Sequence, residues 1–351
     1  MDRNSPQDDV ESTLTGIFED LLKVSPVGVD ESFFDLGGHS FLAVQLVARI
    51  RKELGVTLPL SALFEEDEVD GVTVSALGRL VRGPHQHESR CVVPLHRNSA
   101  AAPLYLVHPA GGDLLGYRRL AVHLGHHWSV HGLRPPPLSH PDADQDIARL
   151  ATDYLDHVRA QRPEGPHFLV GWSTGGLIAF EMADRLRRAG AEVGLLAVVD
   201  SYFGDQLPEY DEAAVLLDFA AELAHKLGDT PAVPEAELRA LLHDRAPREL
   251  LERVLPPDLD ANRILEHLHL YRAHVRAAKV YEPPAGAQRL LLVQAADVDT
   301  AVRERAVRAW QSRVEEPLDH HVIGGDHFDL LREPHVQALA DILTASSPER
   351  R

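Results

Sequence analysis

A chain of 351 residues is longer than one ordinary domain needs and predicts two units with at least one sizeable core. Its 54 acidic against 35 basic side chains give a formal charge of −19, which repels nucleic-acid phosphates and argues against that class of partner. A single cysteine, Cys91, excludes an internal disulfide or a cysteine metal cluster, and with a polar amino terminus and no apolar run long enough to span a bilayer the expected home is the cytoplasm, off the membrane.

The first periodic stretch is residues 11–23, where Leu14, Ile17, Phe18, Leu21 and Leu22 recur at spacings of three and four and predict an amphipathic helix. A second helix follows Ser40, with Ala43, Val47, Ile50 and Leu54 on its apolar face and Gly55 as its carboxyl-terminal stop. Val74, Leu77 and Val81 mark a third. Residues 1–82 thus predict a small all-α bundle, and the first 80 residues hold 15 acidic against 6 basic side chains, a large share of the chain's charge. Residues 83–90, Gly-Pro-His-Gln-His-Glu-Ser-Arg, have no apolar period and predict a linker, which as a flexible segment spans about 15 Å.

From residue 91 the texture changes. Short apolar runs at 104–107, 168–170, 195–199, 290–293 and 322–323 alternate with helical patterns around 145–160, 176–189, 301–312 and 335–345, so 91–351 predicts an α/β unit with a mostly parallel sheet. Between Gly204 and Ala287 the rhythm breaks into Ala- and Leu-rich helices, roughly 211–227, 235–244, 247–254 and 261–280, an insertion with the length of a lid.

Gly171-Trp172-Ser173-Thr174-Gly175 fits G-x-S-x-G, a tight strand-to-helix turn around an exposed serine, with 167–170 as the strand and Leu177, Ile178, Met182 and Leu186 on the helix. A serine hydroxyl needs a base, and an imidazole base needs a carboxylate to hold its tautomer. In the chain order Ser, Asp, His the candidates are Ser173, then Asp200 at the end of the run 195–199, then His327 in Gly324-Gly325-Asp326-His327-Phe328. Asp297 and Asp299 compete for the carboxylate role, and His320 and His321 for the base. Oxyanion donors are expected from the Thr174 amide and from the loop His108-Pro109-Ala110-Gly111-Gly112, whose two glycines would also suit an ordinary turn but whose place after the first strong strand and ahead of the nucleophile favours the donor role.

In the first unit, Asp35-Leu36-Gly37-Gly38-His39-Ser40 ends where a helix begins. Ser40 there could be a plain N-cap, or could carry a phosphodiester stabilised by the free amides of the helix start. Residues from about 11 to 81, with Phe33-Phe34-Asp35-Leu36-Gly37-Gly38-His39-Ser40, resemble the peptidyl carrier domain of nonribosomal peptide synthetases. Residues from about 91 to 345 resemble the type I thioesterase domain that ends such assembly lines, on 107–112, 171–176, 198–202 and 325–328. Glu65-Glu-Asp-Glu-Val-Asp-Gly71 departs from the carrier pattern before the last helix. The resemblance implies 4′-phosphopantetheine on Ser40, installed from coenzyme A by a phosphopantetheinyl transferase. It further implies upstream condensation and adenylation domains, an α/β-hydrolase fold, a triad of Ser173, Asp200 and His327, and amide donors at Ala110 and Thr174. The implied activity is terminal release of a carrier-bound acyl or peptidyl thioester by hydrolysis or macrocyclisation. A proofreading hydrolase and a non-catalytic carrier scaffold are the other readings.

Overall fold

A computed structural model describes residues 6, 8–38, 40–56, 58, 72–83, 91–140, 143–163, 165–207, 212–227, 261–286 and 289–347. The chain divides into two compact units, one of residues 1–90 with 217–265 and one of residues 91–216 with 266–351. The expected helices at 235–244 and 247–254, the linker beyond Gly83 and the segment 65–71 lie outside the described residues.

Among the described residues of 1–90 there are three helices, α1 (Asp9–Leu22), α2 (Ser40–Leu54) and α3 (Val74–Arg82). Two of them have a side-chain cap at the start, and the other a glycine stop at the end. The Asp8 carboxylate accepts the Glu11 amide at 2.9 Å and Thr73 Oγ1 accepts that of Ala76 at 3.1 Å, satisfying donors that a helix start leaves free. Gly55, with φ of 72°, follows α2 in the left-handed conformation expected of it. The predicted stripes meet: Leu14, Ile17 and Phe18 of α1, Ala43, Val47 and Ile50 of α2, and Leu77 and Val81 of α3 share one core with Phe33 and Phe34. Full burial of each larger side chain stabilises by about 1.5–3 kcal/mol relative to exposure. Leu21, Leu22 and Leu54 stand at its margin, partly buried.

The second unit is built on a seven-stranded sheet: β1 (Val92–His96), β2 (Pro103–Val107), β3 (Ser129–Leu133), β4 (His167–Trp172), β5 (Val193–Val199), β6 (Leu291–Ala295) and β7 (Asp319–Ile323). Their spatial order is β1-β3-β2-β4-β5-β6-β7, with β1 antiparallel to β3 and every other pairing parallel. The helices described from residue 91 onward are α4 (Arg118–Leu124), α5 (Ile147–Gln161), α6 (Thr174–Arg188), α7 (Glu212–Leu227), α8 (Ala261–Val280), α9 (Thr300–Gln311) and α10 (His335–Ala345), of which residues 217–227 of α7 and 261–265 of α8 fall in the first unit. β4 is buried along its whole length, as a central parallel strand covered on both faces must be. The chain runs outward from β2 to β3 and returns to β4 on the other side of β2, so the order reverses between β2 and β4. Loops leaving the carboxyl ends of those two strands flank the crevice where open α/β sheets gather their chemistry.

Two strands and one helix exceed the expectation, namely β1, β3 and α4. The last predicted strand begins three residues earlier than its apolar pair, because β7 carries Asp319, His320 and His321 beside β6. Part of the expected lid belongs to the main core: Ala277 and Ala278 of α8 pack in the same cluster as Ile178 and Trp310. No helix among the described residues is long and apolar enough to cross a membrane.

Candidate active site

Ser173 sits between β4 and α6 with φ of 58° and ψ of −132°, a conformation that a residue with a Cβ adopts only under strain. The turn is possible because its flanks lack side chains: a Cβ on Gly171 would strike the Gly175 carbonyl, and one on Gly175 would strike that of Val107. The Ser173 amide donates to Val199 O at 2.9 Å, and the Ser173 carbonyl accepts Ser201 Oγ at 2.5 Å, so β5 holds the turn from the side.

Asp200 directly follows β5 with φ of 45° and is 2 % exposed. Its Oδ2 accepts His327 Nδ1–H at 2.6 Å, while Oδ1 accepts the Ala295 amide at 3.1 Å and the Tyr202 hydroxyl at 2.9 Å. Burial penalises the carboxylate, but the hydrogen bond and charge of His327, with those two donors, outweigh it and hold Asp200 below the ordinary carboxylate range. A bond from Nδ1 to a carboxylate leaves the His327 Nε2 lone pair free, the state a general base requires. The Trp172 ring stacks on His327 at a centroid distance of 4.8 Å and 26°, and Trp172 Nε1 donates to His327 O at 3.1 Å, so the residue before Ser173 fixes the imidazole on a second side. Ser173 Oγ has no hydrogen-bond partner among the described residues, and such catalytic contacts commonly tighten only when substrate binds.

Three of the four competing residues, Asp299, His320 and His321, have side chains engaged elsewhere. Asp299 caps α9, accepting the amides of Ala301 and Val302, and Asp297 meets the His327 loop through its backbone, donating to Gly325 O at 3.0 Å. His320 pairs with Gln294 at 3.0 Å and His321 with Asp319 at 2.9 Å. The geometry therefore joins His327 to Asp200.

Neither the Ala110 nor the Thr174 amide donates to another described residue, which keeps both available to an oxyanion. Tyr117, absent from the sequence reading, ties the two sources together: its buried hydroxyl donates to Val107 O at 2.6 Å and accepts the Trp172 amide at 2.9 Å. Tyr202 was also missed as a functional residue, although it stands two positions after Asp200. Removing one of two donors to Oδ1 in Tyr202→Phe should cost about 1.5–3 kcal/mol at neutral pH. A depressed carboxylate pKa contributes stability present above the unfolded value and lost as pH falls through the folded one. The melting deficit of Tyr202→Phe should thus be full at pH 7 and shrink in acid; a deficit constant down to about pH 3 would detach Tyr202 from the carboxylate's ionisation.

In the amino-terminal unit the Gly-Gly turn also has a steric cause. Phe33 is fully buried, and a Cβ on Gly38 would strike both its ring and its carbonyl, so only glycine lets the chain pass into α2. Ser40 is the first residue of α2, and the first turn carries no acidic side chain. A phosphodiester there would meet the free amides and positive end of a 15-residue helix without local repulsion, so these residues fit a phosphopantetheine group. His39 lies outside the described residues.

An open, mostly parallel sheet with a serine at a strained turn after a central strand and a histidine-aspartate pair on the loops of later strands defines an α/β hydrolase. The chain belongs to the thioesterase domain family, whose model matches residues 102–346, and a second match, described as a phosphopantetheine attachment site, covers residues 12–73. It is 36 % identical over 246 residues to a dimodular nonribosomal peptide synthase of Bacillus subtilis (strain 168), covering 68 % of this chain and 10 % of that protein. It is 29 % identical over 355 residues to the chondramide synthase cmdD of Chondromyces crocatus, covering 96 % and 9 %. Among solved structures, a four-domain nonribosomal peptide synthetase in its holo form, bound to AMP and glycine, matches with a TM-score of 0.67 and 30 % identity over 99 % of this chain and 27 % of that one. The NocB thioesterase domain, in covalent complex with a fluorophosphonate nocardicin G analogue, matches with a TM-score of 0.53 and 28 % identity over 73 % and 99 %. The chain thus spans about a tenth of the length of these two curated relatives.

Proposed function

We propose that this chain performs the last step of nonribosomal peptide assembly, releasing an acyl or peptidyl group from a thioester through a covalent ester on Ser173. The observation that carries the reading is the Asp200–His327 hydrogen bond beside the strained Ser173 turn, in a chain that also matches a phosphopantetheine attachment site. In this reading residues 1–82 are the carrier, 83–90 the linker and 91–351 the thioesterase, with a lid at about 204–287.

The roles follow from the atoms. His327 Nε2 takes the Ser173 proton as Oγ attacks the thioester carbonyl, and Asp200 stabilises the imidazolium formed. The amides of Ala110 and Thr174 receive the oxyanion; one such donor contributes about 3–4 kcal/mol to the transition state. The oxyanion collapses, the C–S bond breaks, and the imidazolium returns its proton to the departing sulfur, leaving the acyl group on Ser173. His327 then activates the second nucleophile, water or a group within the acyl chain, and Ser173 Oγ leaves with the proton. A phosphopantetheine arm on Ser40, when bound, supplies the thiol that holds the acyl group as a thioester. Short flexible tethers give effective concentrations of order millimolar, enough for transfer without a tight contact. Its installation calls for a phosphopantetheinyl transferase, and its loading for condensation and adenylation domains upstream. The one cysteine, Cys91, is a free thiol whose burial raises its pKa to about 12.

The test is intact mass spectrometry of the chain after treatment with a phosphopantetheinyl transferase and an acyl-coenzyme A. Wild type should gain the acylated arm and then lose the acyl mass with time. Ser40→Ala should gain nothing, yet turn over soluble acyl thioesters at the wild-type rate. Arm mass on Ser40→Ala, or a stable acyl load on wild type together with inert soluble thioesters, would overturn the assignment.

A further inference from the structure

The loop after β2 is gripped by two buried imidazoles that the proposed mechanism does not use. His108 Nδ1 lies 2.7 Å from Pro109 O and its Nε2 lies 2.7 Å from Tyr154 Oη; both His108 and Tyr154 are fully buried. A carbonyl only accepts, so Nδ1 carries the hydrogen and Nε2 accepts from the tyrosine. Burial and the neighbouring His274 push the His108 pKa well below its ordinary value, in line with that neutral tautomer. His274 of α8 lies against His108 with ring centroids 4.8 Å apart and ring planes tilted by 37°, and its Nδ1–H donates to Ala110 O at 2.7 Å.

These two bonds act on the peptide planes either side of Ala110. In a trans peptide the C=O of one residue and the N–H of the next point in opposite directions. Holding Pro109 O from one side, which the Gly112 amide does as well at 2.9 Å, aims the Ala110 N–H to the other. Holding Ala110 O fixes the following plane, and with both planes fixed Ala110 has no free dihedral. α8 adds two further contacts from the same face: Leu270 fills the space a Cβ on Gly112 would need, and His267 Nε2 lies 3.8 Å from Asp113 Oδ2. Positions 267, 270 and 274 are three and four apart, so one stripe of α8 covers residues 110–113.

We propose that His274 and His108 are positioning residues that preorganise the Ala110 amide as an oxyanion donor, and that α8 is the bracket of that loop. This rests on Ser173 being the nucleophile. Electrostatic stabilisation of this kind depends on donors fixed before charge develops, so loosening the loop lowers the rate of the chemical step and leaves ground-state binding alone.

The test compares wild type with His274→Asn, whose side-chain amide can place a donor near the position of Nδ1, and with His274→Leu, which fills similar space and donates nothing. With a soluble acyl thioester, His274→Leu should lose about 10²-fold in kcat with KM within about twofold, and His274→Asn should recover most of it. A trifluoromethyl ketone analogue, which adds to the serine and places an oxyanion at the donors, should weaken for His274→Leu in proportion to the loss of kcat/KM. If the leucine variant does not fold, His274→Ala read against His274→Asn takes its place. An adduct on wild type with equal inhibition across the series, or a kcat loss that asparagine fails to restore, overturns this inference alone. Absence of any Ser173 adduct on wild type overturns the reading beneath it.

Discussion

Replacing Ser173 with alanine should lower kcat on soluble acyl thioesters by about 10⁶-fold, to the background that oxyanion donors and binding sustain without a nucleophile. In the arm-loaded chain the acyl mass should then persist on the amino-terminal unit over the time in which wild type clears it. A second consequence separates chemistry from folding. Ser173 holds φ of 58° and ψ of −132°, which costs any residue with a Cβ of order 1–3 kcal/mol, alanine as much as serine. Glycine escapes that cost and loses part of the gain to its greater freedom in the unfolded chain. Ser173→Gly should therefore be as inactive as Ser173→Ala and more stable by about 1 kcal/mol. Equal melting temperatures for the two would remove strain from the account of this turn, and undiminished turnover by either would remove Ser173 from the mechanism.

What the sequence made legible was local. The α1 to α3 stripes, the Gly55 stop, the run into Asp200 and the Gly-rich turn at Ser173 are patterns within about ten residues, and each lies where expected. β1 and β3 were not legible. β1 holds Pro94 and only one fully buried residue, which an edge strand tolerates because one side of its ladder goes unused. β3 reads Ser-Val-His-Gly-Leu, and its Gly132 leaves room for the Leu114 side chain, a contact no local pattern announces. The supporting residues of the site were hidden for the same reason. His274 reaches Ala110 across 164 positions and was one of 21 histidines, in a helix whose apolar pattern suggested only a lid. Tyr117 could not be told from any other buried tyrosine until β2 and β4 were adjacent. Asp200 was ranked ahead of Asp297 from sequence position alone, although both follow strands that end at the same edge of the sheet; what the sequence did not show is the hydrogen bond from His327 to Asp200.

Asp200→Asn is expected to reduce kcat by up to about 10⁴-fold, and the surrounding donors explain why so small a change should cost so much. The Ala295 amide and the Tyr202 hydroxyl both point at Oδ1, so an asparagine must turn its oxygen toward them. Its NH2 then faces His327 Nδ1, and two donors cannot share one hydrogen bond. The imidazole relieves the conflict by moving its proton to Nε2, leaving Nδ1 to accept from the amide and Nε2 unable to take the Ser173 proton. Folding survives, because the asparagine keeps both Oδ1 donors, and KM should change little, because the lost interaction serves only the transition state. Asp297→Asn is the control: Asp297 meets the His327 loop through its backbone amide, which the substitution leaves in place, so kcat should stay within a few-fold of wild type. Steady-state kinetics on one soluble thioester distinguish the two. If Asp297→Asn is the damaging change and Asp200→Asn the mild one, the Asp200–His327 bond is structural and another carboxylate orients the base.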